Sequence, residues 1–107
     1  MKTWQATTEQ ELLEMLLVAE RKMTSAGRKV WKLVQLEKPE KWQLSPWGDE
    51  GGGFWVVSIA GNTCLYYNDI EDGFNSSAFK EWGVIDQYTC DQTELQDVFN
   101  CFTNSSS

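Results

Sequence analysis

The stretch that most constrains this chain is residues 51–75, GGGFWVVSIAGNTCLYYNDIEDGFN. Three glycines lead into the most apolar β-type run in the protein, which turns at Gly61-Asn62 and returns through Cys64-Leu65-Tyr66-Tyr67. Two residues between strand-like runs, with glycine first, fit a type II′ hairpin whose twist matches its strands. Uninterrupted pairing from that turn sets Ile59 opposite Cys64, Val57 opposite Tyr66 and Val56 opposite Tyr67. Trp55, Val57, Ile59 and Tyr66 are expected on one face, and Phe54, Val56, Leu65 and Tyr67 on the other. A hairpin apolar on both sides belongs inside a sheet, so Trp55, Val57 and Ile59 are expected beneath a helix.

The flanking sequence supplies helices. Thr8 and Glu11 form a capping box, and Leu12, Leu13, Leu16, Leu17, Ala19 and Met23 follow at helical spacing. Glu9, Glu11 and Glu14 lie toward the positive end of that helix, Arg21 and Lys22 toward the negative end, and Gly27 reads as its stop. Residues 28–37, RKVWKLVQLE, alternate as a first strand, with Trp31 and Leu33 sharing a face. Residues 38–53 read as loop, with a short strand allowed at 41–44, and glycines before the central strand as a bulge or a close backbone crossing. Gly73 reads as a turn glycine, residues 76–83 as a helical turn or irregular edge, and residues 84–89 as a last strand. Asp91 and Glu94 make a second capping box, opening a helix with Leu95, Val98, Phe99 and Phe102 as its stripe.

The expected fold is therefore α+β: an antiparallel sheet of three to five strands with an N-terminal and a C-terminal helix packed on it. With 107 residues, residues 1–102 form one domain and residues 103–107 a disordered polar tail. No apolar run approaches the ~20 residues that span a bilayer, and no apolar segment follows Lys2. A cytoplasmic protein is the expectation.

Several chemistries drop out. The chain has no histidine and only three cysteines, Cys64, Cys90 and Cys101, without CxxC spacing. Neither a disulfide framework nor a closed zinc site follows from that set. The glycine run lacks the lysine and spacing of a phosphate loop. Residues 68–73 imitate a calcium loop, but Ile70 falls at a ligand position and cannot ligate. Without histidine, a catalytic pair would have to come from Asp69, Glu71 and Asp72, neighbours in one loop with no cleft to face across. The expectation is a non-enzyme with no catalytic residues, no cofactor and no metal.

Charge is more informative. Residues 1–41 carry eight basic and six acidic residues, a balance of +2, whereas residues 42–107 carry Lys80 against ten acids, a balance of -9. Such an asymmetry disfavours nucleic acid or an anionic membrane as direct partner and favours a basic one. Asp49, Glu50, Asp69, Glu71 and Asp72 leave the central hairpin at its same end, so strand pairing should gather them into one acidic patch. Trp47 and Phe74 flank these charges as candidate apolar anchors.

Residues 51–61, residues 67–75, Gly83-Val84-Ile85 and the run from Tyr88 to Leu95 resemble a group of small bacterial immunity proteins. The likeness spans about residues 47–98. Such proteins are encoded in polymorphic toxin or contact-dependent inhibition loci, where each binds and occludes a cognate toxin domain. The resemblance implies a toxin domain with a basic surface as partner, nucleases being one class of such toxins, and implies no catalytic residues. The competing reading is a non-catalytic module that binds a small ligand or scaffolds an intracellular complex. Self-association is left open.

Overall fold

The computed structural model describes residues 7–44, 52–88 and 93–99. Two helices, α1 (Glu9–Lys22) and α2 (Ser25–Val34), precede four strands: β1 (Gln35–Trp42), β2 (Phe54–Ala60), β3 (Thr63–Asn68) and β4 (Gly73–Ala78). The strands form one antiparallel meander in the order β1-β2-β3-β4. A short helical segment, residues 95–99, follows. This is the expected α+β architecture. No helix among the described residues is long and apolar enough to cross a membrane. Residues 100–107, and with them Phe102 and the polar tail, lie outside the described residues.

The capping box of α1 forms as expected: Thr8 Oγ1 accepts from the Glu11 N–H at 3.1 Å, and Glu11 accepts from the Thr8 N–H at 3.0 Å. These bonds draw the exposed Glu11 carboxyl below its ordinary value. Leu12, Leu16, Ala19 and Met23 are buried, whereas Leu13 and Leu17, expected on the same stripe, face solvent.

The helix ends earlier than Gly27. Met23 is its C-cap, and Thr24 restarts the chain as the N-cap of α2 by accepting from the Gly27 N–H at 3.0 Å. Residues 28–34, expected as strand, are therefore helical. Val30 and Val34 fit a helical face as well as an alternating one, Trp31 joins them only on a helix, and the Thr24 cap sets the helix. Arg28 then closes the first helix, its Nη2 donating to the Glu20 carbonyl at 2.9 Å. Only from Gln35 does the chain extend. β1 is an edge strand whose pairing slips between Gln35 and Glu40, around Pro39, which has no N–H to offer a ladder.

The central hairpin turns where expected, with Gly61 at φ 63°. Ile59 pairs with Cys64, but a bulge between Val56 and Ser58 then shifts the register, so that Val56 meets Tyr66 and Trp55 meets Tyr67. The extra residue, Val57, changes the faces beyond it. Trp55 and Val57 do pack with the helices, together with Leu65 and Tyr67. Ile59 and Tyr66 instead join Phe54, Val56 and Cys64 on the opposite face.

Two cores result. The helical face buries Leu12, Leu16, Trp31, Val57, Leu95 and Phe99, with the Trp31 and Phe99 rings edge-on at 5.3 Å. The other face, Trp42, Phe54, Val56, Tyr66 and Ile85, is covered by residues 79–88. That covering segment is not the strand expected at 84–89; in its described part, Val84 makes a single parallel bridge to Gln43. The fourth strand is β4, whose Gly-Phe-Asn-Ser-Ser-Ala sequence has little intrinsic strand preference and is ordered by pairing with β3. Gly53 provides the expected close backbone crossing. It takes φ 112°, and a Cβ there would drive into the Trp42 carbonyl oxygen.

Candidate protein-binding surface

The hairpin joining β3 to β4 carries the acidic loop, residues 69–72. Asn68, fully buried at the end of β3, accepts from the Ile70 N–H at 3.0 Å and the Glu71 N–H at 3.3 Å. This side-chain turn shapes the loop, and Asp72 completes it at φ 58°, a conformation that aspartate tolerates better than most residues.

The loop does not present its carboxylates equally. Asp69 is 8% exposed and turns inward, its Oδ2 accepting the Thr7 N–H at 2.9 Å. Burial raises its pKa, against the pull of that bond and of Lys41. Glu71 is half-buried, and Asp72 is exposed. Asp72 Oδ1 accepts the Tyr67 hydroxyl at 3.1 Å, and burial, then Asp72, pushes that hydroxyl up to about 12. Phe74, expected as a surface anchor, lies in the core with its ring 5.0 Å from that of Tyr67. Asp69 and Phe74 thus face the interior, where Thr7 and α1 meet the β3–β4 end of the sheet. Trp47, Asp49 and Glu50 lie outside the described residues.

The fold instead brings Asp72 to acids that the sequence reading left out of the patch. A groove of about 620 Å³ runs between α1 and the β3–β4 end of the sheet. Glu11 and Glu14 line it from α1, Asp72 from the hairpin and Glu94 from the segment before residues 95–99. Met15, Val18, Ala19, Phe74 and Leu95 supply apolar lining, and Lys22 is the one cation among the described lining residues. The signal for Glu11 and Glu14 was present in the sequence as the acidic first turns of α1. It was absorbed by capping and the helix dipole, which explain acids there without any partner.

The opposite face presents a fixed aromatic group. Trp82 is 56% exposed, packs 5.1 Å from the Trp42 ring and donates Nε1–H to Glu40 Oε1 at 2.9 Å. Trp42 donates to the same oxygen at 3.1 Å. A smaller apolar cavity of about 290 Å³ lies between α2, β3 and residues 98–99, with Cys64 on its wall. Burial, then the Asp86 charge, pushes the Cys64 thiol up to about 11, so it is protonated and a poor nucleophile near neutral pH. Among the described residues, no three cysteine, aspartate or glutamate side chains gather as a metal-ion set.

Comparison of the chain with protein families, curated proteins and solved structures found no match.

Proposed function

We propose that this chain is an immunity protein that binds and occludes a basic toxin domain through an acidic surface. The observation that carries the reading is the convergence of Glu11, Glu14, Asp72 and Glu94, from separate parts of the chain, on one groove with a single lysine among its described lining residues. A toxin domain that holds nucleic acid needs a basic groove for phosphates. An acidic inhibitor complements such a groove, with fast, salt-sensitive association. The likeness of residues 47–98 to immunity proteins points the same way. Occlusion needs surface complementarity alone and draws on no reactive group.

The test is co-expression with the product of the reading frame adjacent to the gene. Rescue of growth, together with a complex that weakens as salt rises, is the expected outcome. A neighbouring product that is not toxic, or that kills equally with and without this chain, would overturn the reading.

The apolar cavity favours a second reading, a small-ligand module. Its walls include Val30, Val34, Leu65 and Phe99, with the Ser58 and Thr63 hydroxyls beside them, a combination that suits an apolar ligand with one polar end. Saturable binding of an apolar reporter dye, lost on Val34→Asp in a variant that still folds, is the result this second reading requires.

A further inference from the structure

We propose that the groove between α1 and the β3–β4 hairpin is the seat of a basic amphipathic helix of the partner. The proposal rests on the partner-binding reading and names the element that is bound. Glu11, Met15, Val18 and Lys22 line the groove from successive turns of α1. The eleven steps from Glu11 to Lys22, at about 1.5 Å each, make that wall about 16 Å long, the length of roughly three helical turns. Tyr67, Phe74 and Leu95 line it from the other side.

The backbone around the groove argues for a helix over an added strand. The peptide groups of α1 are engaged within the helix, and the Phe74 N–H at the edge of β4 donates to the Thr93 carbonyl at 2.9 Å. A β-strand laid here would find its ladder position at Phe74 already taken, so recognition must come from side chains. The apolar lining calls for an apolar stripe on the occupant. Val18, on the groove wall, is 47% exposed. The four carboxylates call for lysine or arginine beside that stripe. An acidic or neutral helix would desolvate them at the interface without supplying a counter-charge.

The probe is a synthetic lysine–leucine peptide of about 14 residues, long enough to run past the wall, with its leucines in helical register. A scrambled peptide of identical composition is the comparison. Fluorescence anisotropy should give the registered peptide at least about tenfold tighter binding than the scrambled one. Val18→Asp and Glu14→Lys should each weaken it about tenfold or more. Leu17→Asp, on the same helix but outside the groove, should bind as the parent does. All three positions are exposed, and matched melting curves establish that each variant folds. Equal affinity for the two peptides, or Val18→Asp binding like Leu17→Asp, would overturn the proposal. The same variants separate it from the broader reading. Toxin protection lost in Val18→Asp and kept in Leu17→Asp supports both. Protection kept in Val18→Asp removes the groove as the interface and leaves the immunity reading standing.

Discussion

The Thr7 N–H donates to Asp69 Oδ2 at 2.9 Å, joining positions 62 residues apart in sequence. The Thr7 carbonyl in turn accepts the Trp55 Nε1–H at 2.8 Å. Both backbone groups of one residue are thereby engaged by the sheet, and the segment entering α1 is pinned to the start of β2 and the turn that ends β3. Asp69→Ala leaves the Thr7 N–H without this acceptor and should cost about 1–3 kcal/mol in urea unfolding. Hydrogen exchange at the Thr7 amide should accelerate in the same variant.

Gly53 and Gly52 form a matched pair for testing the close crossing. Both have positive φ, but a Cβ at Gly52 meets open space, whereas one at Gly53 meets the Trp42 backbone. Strain at such a φ costs on the order of 1–3 kcal/mol, so Gly52→Ala should fall in that range. Gly53→Ala should lose measurably more in the same denaturant titration, because β1 must move away from β2 to admit the methyl group.

Leu33 distinguishes the helix from the strand expected in its place. An alternating strand would set it beside Trp31 in the core, but α2 turns it 84% into solvent while Trp31 is 1% exposed. Leu33→Gln should change stability by no more than about 0.5 kcal/mol. Trp31→Ala should cost about 3–5 kcal/mol, also losing the indole bond to Glu20 at 2.8 Å. Chemical denaturation of the two variants side by side checks the assignment.

Alkaline stability follows from Tyr67 and Cys64. The fold raises the tyrosine from 10.0 to about 12 and the thiol from 9.0 to about 11. In both cases the folded protein holds a proton that the unfolded chain releases, so stability declines as pH rises through each interval. The decline should begin near pH 9 and continue to about pH 12. Tyr67→Phe should flatten its upper part and Cys64→Ala its lower part, read as urea midpoints against pH.

Trp42 and Trp82 donate to the same Glu40 oxygen, yet their burial differs, at 1% and 56% exposed. Trp42→Ala should cost about 3–5 kcal/mol, as for other large core truncations. Trp82→Ala should cost far less and shift the fluorescence of the remaining tryptophans. A loss as large at Trp82 as at Trp42 would show that its ring is structurally indispensable.

By itself, the sequence determined the local signals. The Thr8–Glu11 box placed the start of α1, and Gly61-Asn62 placed the central turn with the Ile59–Cys64 pair beside it. The two-sided apolar hairpin demanded cover on both faces, which gave the α+β class. Tertiary structure decided what local patterns leave degenerate. Val30 and Val34 satisfy helix and strand periodicities alike, and the Thr24 cap with Arg28 on the Glu20 carbonyl selected the helix that brings Trp31 to their face. Val57 looked like one more alternating residue until pairing made it a bulge, and a single extra residue moves every side chain beyond it to the other face. The acidic surface divides in the same way. The charge excess could be counted along the chain, but which carboxylates reach a partner depended on packing. Thr7 and α1 met the sheet at Asp69 and Phe74, and the same packing set Glu11 and Glu14 across a groove from Asp72. Charge is a property of composition, whereas its accessibility is a property of the contacts made when distant segments meet.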